Sequence, residues 1–233
     1  MFQGSYIILF LISGITLLFT LLFFITISGV FQAWLKYWMG DDTALKEGFG
    51  KFNPLVHIDE VWMIIFFITR IFVRSIQPMN IFWEKGIKGF FQKIIVFFTS
   101  PVLHFIISSI LLLIGVKAFS TPFFFLALQT PLSISVDFLQ GIMATYVNLK
   151  GIKLIVLILL LYSIAMNMML GLLDLFIAIL DYFFRTFIKP YFNNFNVAIG
   201  SYLIMMFILI YFSNTFHYIS WMIVSYPVIK LLG

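Results

Sequence analysis

Long uncharged stretches separate the polar positions of this chain, and their lengths predict membrane-spanning helices. Residues 1–35 contain no charged side chain. At about 1.5 Å per helical residue this stretch is longer than the roughly 30 Å hydrocarbon core of a bilayer, which predicts a first span over residues 5–35 that is tilted, or bent near Ser28 and Gly29. Three further apolar stretches predict spans over residues 94–116, 154–180 and 197–224.

The segments between these spans are apolar but interrupted by charges or prolines. Residues 61–73 are too short to cross a bilayer and contain Arg70, which favours a re-entrant or interfacial hairpin within a cytoplasmic segment over residues 36–93. Prolines break residues 118–149 and predict an irregular membrane segment there. The pattern predicts an all-α integral membrane protein, a single membrane domain over residues 1–233 built as a polytopic helix bundle of about 4–6 spans.

The composition agrees with lipid as the solvent of this protein. Hydrophobic residues make up 63% of the 233 residues and charged residues only 10%, and the mean hydropathy is +1.12. A soluble domain of this size needs a larger polar surface, so the composition excludes that class. The chain contains no Cys, which excludes disulfide bonds and thiolate metal ligands.

The positive charges predict an orientation in the membrane. The net charge is +5, and ten of the 14 Lys and Arg residues fall within residues 36–93 and 181–195. Basic residues beside apolar runs are typical of membrane anchors, and the positive-inside rule then places the N-terminus outside and residues 36–93 in the cytoplasm. We expect an integral protein of the bacterial inner membrane, with no nucleic acid among its partners.

A family resemblance begins in the second half of the first predicted span. Residues 27–41 read ISGVFQAWLKYWMGD, and they resemble the segment of site-2 intramembrane zinc metalloproteases that contains H-E-x-x-H-A and ends in Y-W-x-G-D. The two His positions of that family fall on Ser28 and Gln32, and the Glu position falls on Gly29. The chain is therefore similar to this family at a place where it lacks the family's metal ligands.

The segment that follows is also similar to the family. Residues 40–44, GDDTA, resemble G-D-x-T-A, and residues 53–59, NPLVHID, resemble N-P-L-x-H-I-D at the usual separation. Asn and Pro favour turns, and an Asn side chain can bond to the nearby backbone. We therefore expect a cytoplasmic turn that packs back on the helix bundle and is formed by Asn53, Pro54, His57 and Asp59.

Two later segments extend the resemblance. Residues 99–104, TSPVLH, lie where the family has A-G-P-x-x-N, with Pro101 retained and His104 in place of Asn. The segment that starts at Asn167 resembles I-N-x-x-L-A-x-F-N-L, and the family's next turn, L-P-x-P-P-L-D-G, is replaced by a sequence without proline. In this alignment, which needs a deletion of one residue, Asp181 corresponds to the third metal ligand.

The missing ligands decide which chemistry the resemblance implies. A catalytic zinc site needs three protein ligands, an open position for water and a neighbouring general base. Of the four vestigial positions only Asp181 retains a carboxylate, and the others are Ser28, Gly29 and Gln32. The resemblance therefore implies a pseudoprotease with no catalytic residues, no bound metal and no cofactor. A residual intramembrane protease with an unrecognised catalytic set is the less favoured alternative.

A carboxylate at membrane depth is the remaining candidate for function. Asp174 lies seven residues before Asp181, on the same face of a helix. An intramembrane carboxylate needs a polar partner, a water-filled path or the interior of a bundle. We expect Asp174 to bond to Gln32, His104 or Asn167, and we expect Gln32 to be buried with it.

The former metal cavity is predicted to be closed. Losing two imidazoles and the proline-rich turn removes both the ligands and the rigid backbone of such a cavity, and Phe176 and Tyr182 offer bulk to fill it. An amide at position 32 can donate to an Asp carboxylate. We therefore expect five residues to lie close together in the cytoplasmic half of the bundle: Ser28, Gly29, Gln32, Asp174 and Asp181.

The predicted function follows from the small size of the extramembrane parts. Such a bundle can recognise other membrane helices, lipids, or a protein that touches residues 36–93. We predict a scaffold or docking subunit of a hetero-oligomeric membrane complex, whose partners are other integral membrane proteins and lipids. Residues 118–149 are the predicted interface, because they are apolar and fit a single span poorly. A channel or transporter subunit that uses Asp174 is the alternative.

Overall fold

Helices of very different lengths build the described part of the protein. The computed structural model describes residues 2–58, 87–130, 136–146, 149, 151–183, 218 and 221–230. The helices are α1 at Phe2–Trp38, α2 at Thr43–Lys46, α3 at Ile87–Phe119, α4 at Thr121–Gln129, α5 at Val136–Thr145 and α6 at Ile152–Phe183, with a 3-10 turn at Pro54–His57. A further helical segment covers residues 221–230. The prediction of an all-α fold is confirmed for these residues, which contain no β-strand.

Three of the described helices are long and apolar enough to cross a membrane: Phe10–Trp38, Ile87–Phe119 and Ile152–Phe176. The first is 29 residues long, about 44 Å at 1.5 Å per residue, so it exceeds a hydrocarbon core of roughly 30 Å and must tilt or extend into the headgroups. These helices are compatible with a membrane protein. The predicted hairpin over residues 61–73 and most of the predicted span over residues 197–224 lie outside the described residues.

α6 lies at the centre of the described bundle. It packs along α3 and also against α1, and 67% of its most apolar stretch is buried, compared with 44% for α1 and 22% for α3. Ser100 of α3 contacts Asp174 of α6, whereas Ser108, later along α3, contacts Ile164, earlier along α6. The two helices are therefore antiparallel.

Aliphatic and aromatic side chains fill the centre of the bundle. Its largest fully buried side chains include Leu21, Ile25, Leu112, Phe123, Leu139, Leu157, Leu161 and Tyr162. The outer faces of the long helices also carry large apolar side chains, such as Ile15 at 70% exposure and Ile106 at 51%. Lipid tails are as apolar as these side chains, so packing between helices here depends on close van der Waals contact and on polar groups.

The described part of residues 118–149 contains two short helices, α4 and α5, and α4 folds back on the end of α3. α4 has 9 residues, too few to cross a bilayer. The fully buried Phe123 of α4 lies on Gly115 of α3, where a Cβ atom would come within 2.0 Å of the ring. The Tyr146 hydroxyl donates to the Phe119 carbonyl oxygen at 2.9 Å. The absence of a side chain at position 115 therefore allows this return.

Candidate functional site

The end of α1 turns sharply at Gly40 and aims the chain back toward the bundle. Gly40 has φ +90°, a left-handed conformation that glycine adopts most easily. Its N–H donates to the Tyr37 carbonyl oxygen at 2.9 Å, and the Asp41 N–H donates to the Lys36 carbonyl oxygen at 3.0 Å. These two bonds form a Schellman motif, which ends helices at a glycine. The buried Asp41 side chain then accepts from the Thr43 N–H at 3.0 Å and positions the start of α2.

A second Schellman motif ends α2. Gly48 also has φ +90°, its N–H donates to the Leu45 carbonyl oxygen, and the Phe49 N–H donates to the Ala44 carbonyl oxygen, each at 3.0 Å. Ala44 and Phe49 are buried against Ala33 of α1. The glycines of this segment therefore fold it onto the face of α1 that carries Gly29 and Ala33.

The asparagine and proline of the second motif shape the final turn. The Asn53 side-chain oxygen accepts from the Leu55 N–H at 3.1 Å, and Pro54 occupies the first position of the 3-10 turn. Proline is well suited to this position because its φ is fixed and its missing N–H is not needed. The turn ends at His57, whose side chain is 1% exposed. Asp59, the fourth predicted member of this turn, lies outside the described residues.

His57 rests directly on Gly29 of α1. A Cβ atom at position 29 would come within 2.2 Å of Nδ1 and 2.6 Å of Cε1 of the imidazole. The ring also meets Phe49 edge to face, with 5.5 Å between centroids, and Nε2 lies 3.5 Å from the Lys51 carbonyl oxygen. Position 29 corresponds to the catalytic Glu of the resembled family, so the imidazole occupies the space that such a side chain would enter.

The two positions aligned with the family's zinc-binding histidines each bond to a backbone carbonyl oxygen, one within α1 and one on α3. Ser28 is 1% exposed, and its hydroxyl donates to the Ile25 carbonyl oxygen at 3.1 Å. Gln32 is 8% exposed, and its Nε2 donates to the Val96 carbonyl oxygen of α3 at 3.3 Å. The latter bond links α1 to α3 one helical turn before Ser100. Gln32 therefore bridges two spans by its amide group.

A second polar cluster lies where α3 crosses α6. The Ser100 hydroxyl donates to Asp174 Oδ2, and His104 Nε2 lies 3.7 Å from the same oxygen. His104 Nδ1 lies 2.8 Å from Asn167 Oδ1, and Asn167 Nδ2 donates to the Ser163 carbonyl oxygen at 2.9 Å. Each of these side chains is at most 5% exposed. The cluster therefore forms a continuous line of polar contacts between two helices that are long and apolar enough to span a membrane.

The helices approach closely at this cluster because α6 has a glycine there. A Cβ atom at Gly171 would lie 3.1 Å from the Phe105 ring and 3.2 Å from His104 Cβ. On the other helix, Pro101 is buried within α3 and cannot donate to the Phe97 carbonyl oxygen, which loosens the helical bond pattern one turn before His104. Small residues at such contacts are a general means of bringing membrane helices together.

The structure brings together some of the residues that the sequence singled out. Asp174 contacts His104, one of its three predicted partners, and Asn167 joins the cluster through that imidazole. Gln32 is bonded to the Val96 carbonyl oxygen. Ser100 was not among the predicted residues, although it lies four residues before His104 on the same helical face.

The prediction that Phe176 and Tyr182 fill a former metal cavity stays a prediction. The side chain that lies against Gly29 is His57, which was predicted only as part of a turn. Phe176 is partly buried in α6. The side chains of Asp181 and Tyr182, in the last turn of α6, lie outside the described residues, so the predicted proximity of Asp181 to Gln32 stays a prediction.

The described residues contain no group of three or more His, Asp or Glu side chains placed to hold a metal ion. Comparison with known proteins adds no family: the chain matches no family model, no curated protein and no solved structure. The relationship to site-2 proteases, the absence of bound zinc and the absence of a cofactor therefore stay predictions from the sequence motifs.

Proposed function

We propose that the protein is a catalytically inactive, site-2-protease-like scaffold or docking subunit of a larger complex in the bacterial inner membrane. In this proposal its N-terminus faces outward and residues 36–93 face the cytoplasm. The order of the motifs supports the relationship, since four segments similar to the family follow one another along the chain. The described helices are compatible with the membrane location.

The contact between His57 and Gly29 is the observation that best supports the proposed lack of catalytic activity. Metalloprotease chemistry needs a general base beside a zinc-bound water, in an open site. Position 29 has no side chain, and a Cβ atom added there would lie only 2.2 Å from an imidazole nitrogen. A buried imidazole held by Phe49 and the Lys51 carbonyl fills this space with a fixed group. The turn at residues 53–58 therefore packs against α1 through His57.

Restoring the family residues tests this proposal. The triple variant Ser28→His, Gly29→Glu and Gln32→His is expected neither to bind zinc nor to cleave a membrane helix, because the Glu side chain meets His57. Adding His57→Gly removes that obstacle, and zinc binding is still expected to fail without the proline-rich turn before Asp181. Elemental analysis measures the zinc bound by each variant, and an assay with a membrane helix as substrate measures cleavage. Wild-type protein with about one zinc per chain, lost in Asp181→Ala, would contradict the proposal.

The docking surface is proposed to be the pair of short helices α4 and α5. They flank a cleft of about 290 Å³ lined by Thr121, Pro122, Phe125, Leu126, Gln129 and Thr145. Phe125 is 57% exposed beside this cleft, and the exposed Gln129 and Thr145 offer hydrogen-bonding groups. Polar groups beside an apolar side chain suit a partner helix that brings its own polar residues. Lipid tails alone would offer no such partner to the exposed Gln129 amide, whereas the Thr145 hydroxyl already donates to the Gly141 carbonyl oxygen at 2.8 Å.

Site-specific crosslinking tests the docking surface. A photoreactive amino acid at Phe125 is expected to give a discrete crosslinked protein product of constant mass in membranes, together with lipid adducts. The same amino acid at Ile15, 70% exposed on α1, is the matched control and is expected to give lipid adducts only. Equal crosslinking at both positions, or lipid adducts alone at Phe125, would contradict the proposed surface.

The alternative function, a channel or transporter subunit, is distinguished by ion flux. The polar cluster around Asp174 is the observation that favours it, since ionisable groups in spans often mark ion paths. Its tight packing at Gly171 leaves little room between α3 and α6 in this conformation. Conductance of the purified protein in liposomes that disappears in Asp174→Asn would favour the channel, whereas its absence favours the docking function.

A further inference from the structure

The chain that follows α1 runs back along that helix. The Trp34 Nε1–H donates to the Gly50 carbonyl oxygen at 3.4 Å, and His57 then lies on Gly29. Gly29 is nine residues before the end of α1 at Trp38, which is about 13 Å at 1.5 Å per residue. Measured along α1, the turn at residues 53–58 therefore lies about 13 Å from the end of the helix, toward the centre of the bundle.

Aromatic side chains indicate where α1 would leave the hydrocarbon of a bilayer. Trp34, Tyr37 and Trp38 are 42%, 48% and 69% exposed, and no charged residue precedes Lys36 in the chain. Exposed Trp and Tyr are enriched in the headgroup layer, because their rings are apolar and carry one polar group. That layer is roughly 5–7 Å thick on each side of a bilayer. A return of about 13 Å from Trp38 therefore reaches the boundary between headgroups and acyl chains.

The outer side of this turn is apolar. Phe52 is 76% exposed and Leu55 is 75% exposed, which places them among the most exposed large apolar side chains of the described residues. The inner side of the segment is held on α1 by the buried Phe49 and His57. Exposed apolar groups of this kind mark surfaces that contact a membrane or another protein. The exposed Lys51 beside them is typical of segments that lie in the interface of a bilayer.

We propose that the turn at residues 53–58 and the preceding Phe52 form an interfacial anchor. Phe52 and Leu55 together insert into bilayer lipid at the boundary between headgroups and acyl chains, while the Lys51 ammonium contacts lipid phosphate. The occupant of this surface is lipid, because α1 places the turn at that depth. The inference rests on the proposed membrane location of α1, and it is independent of the docking surface and of the loss of catalysis.

Spin labels on single cysteines test the anchor. The chain contains no Cys, so Phe52→Cys or Leu55→Cys takes one nitroxide label in the full-length protein, reconstituted in vesicles of phosphatidylethanolamine and phosphatidylglycerol. Lys46→Cys, at a side chain that is 72% exposed on α2, is the control for water. Labels at positions 52 and 55 are expected to collide more with oxygen and several-fold less with a water-soluble nickel chelate than the label at position 46. Equal access of nickel at the three positions would overturn the proposal and favour a soluble protein as the occupant.

A label at Ile15→Cys separates failure of the anchor from failure of the membrane location. Ile15 is 70% exposed on α1, and its label is expected to collide with oxygen and to be shielded from nickel. Shielding at position 15 with open access at positions 52 and 55 would refute the anchor alone. Open access at position 15 as well would refute the membrane location and the anchor with it.

A serine variant tests whether the two side chains insert together. In the labelled Leu55→Cys protein, Phe52→Ser is expected to raise the access of nickel to the label several-fold, because one of the two apolar groups is lost. Ile110→Ser, at a side chain that is 52% exposed on α3, is the matched control and is expected to leave this access unchanged. A label that stays equally shielded in Phe52→Ser would contradict joint insertion. The two labels without further substitution decide the question even if a serine variant does not accumulate.

Discussion

At the scale of single residues, the most informative contact joins Gly29 and His57. The two residues are 28 positions apart in the chain and belong to different motifs, and the imidazole lies where a side chain at position 29 would begin. Close packing of this kind tolerates added atoms poorly, because protein interiors have little free volume. The His57 imidazole can therefore keep this position only while residue 29 has no side chain.

Gly29→Ala is accordingly expected to lower the thermal midpoint of the protein in detergent. The added methyl group would lie 2.2 Å from His57 Nδ1, and overpacking of this type costs roughly 1–3 kcal/mol. His57→Ala is expected to reduce accumulation as well, since it empties the space beside Phe49, and to change no catalytic property. The double variant is expected to lose less stability than the sum of the two single losses.

The control for this cycle is Gly141→Ala in α5, where nothing lies within 4 Å of an added Cβ atom. Alanine is the better helix former, so the thermal midpoint is expected to stay the same or rise slightly. Strictly additive losses in the Gly29 and His57 cycle would show that the contact is not a steric one.

At the scale of elements, glycine positions determine where helices meet or turn. Gly171 brings α6 close to α3 at the polar cluster, and Gly115 allows α4 to fold back on α3. Gly40 and Gly48 end α1 and α2 in left-handed conformations. These positions are spread through helices and turns, yet each places one element against its neighbour, as small residues do in membrane bundles.

Gly115→Ala is expected to detach α4 from α3. Its methyl group would lie 2.0 Å from the Phe123 ring, which is 0% exposed. The chain contains no Cys, so a single Ala127→Cys substitution, at a side chain that is 1% exposed, reports the change through its labelling rate with a maleimide. Labelling is expected to rise several-fold in Gly115→Ala, because local opening exposes this face.

Two further variants complete the experiment. Gly141→Ala in the same single-cysteine background is expected to leave the labelling rate unchanged. Combining Phe123→Leu with Gly115→Ala gives the added methyl group room and is expected to restore slow labelling. Fast labelling of the Ala127→Cys variant with Gly115 intact would mean that α4 does not pack on α3 in the membrane.

At the scale of the whole molecule, the proposed orientation places the two ends of each long apolar helix on opposite sides of the membrane. Cytoplasmic placement of residues 36–93 puts the start of α3 inside and its end, with Lys117, outside. Lys46 and Lys117 are both exposed, and they lie on opposite sides in this arrangement. Two lysines on described elements thus suffice to test the orientation.

Single Lys46→Cys and Lys117→Cys variants are expected to react with an impermeant maleimide from opposite sides. Lys117→Cys should react in intact cells, and Lys46→Cys only in inside-out vesicles. Lys46 pairs with Asp42 at 2.7 Å, but both side chains are more than half exposed, and such surface pairs contribute little to stability. Reaction of both cysteines from one side would overturn the orientation and the crossing of α3.

The sequence by itself determined the features that depend on composition and spacing. Uncharged length identified the three long helices, because lipid selects for apolar runs of a fixed minimum length. The motif at Asn53 and Pro54 indicated a turn, because these two residue types favour turn geometry locally. The sequence also named Gln32, His104 and Asn167 as candidate partners of Asp174, and of these His104 contacts it directly.

Only the tertiary structure decided which distant residues meet. No local pattern predicts that the imidazole of His57 lies on Gly29, or that Ser100 bonds to Asp174, because these contacts depend on the crossing and rotation of whole helices. The packing of α4 on α3 was likewise invisible, since it depends on the missing side chain at Gly115. Sequence periodicity fixes the face of a helix, whereas the packing of its neighbours decides what that face touches.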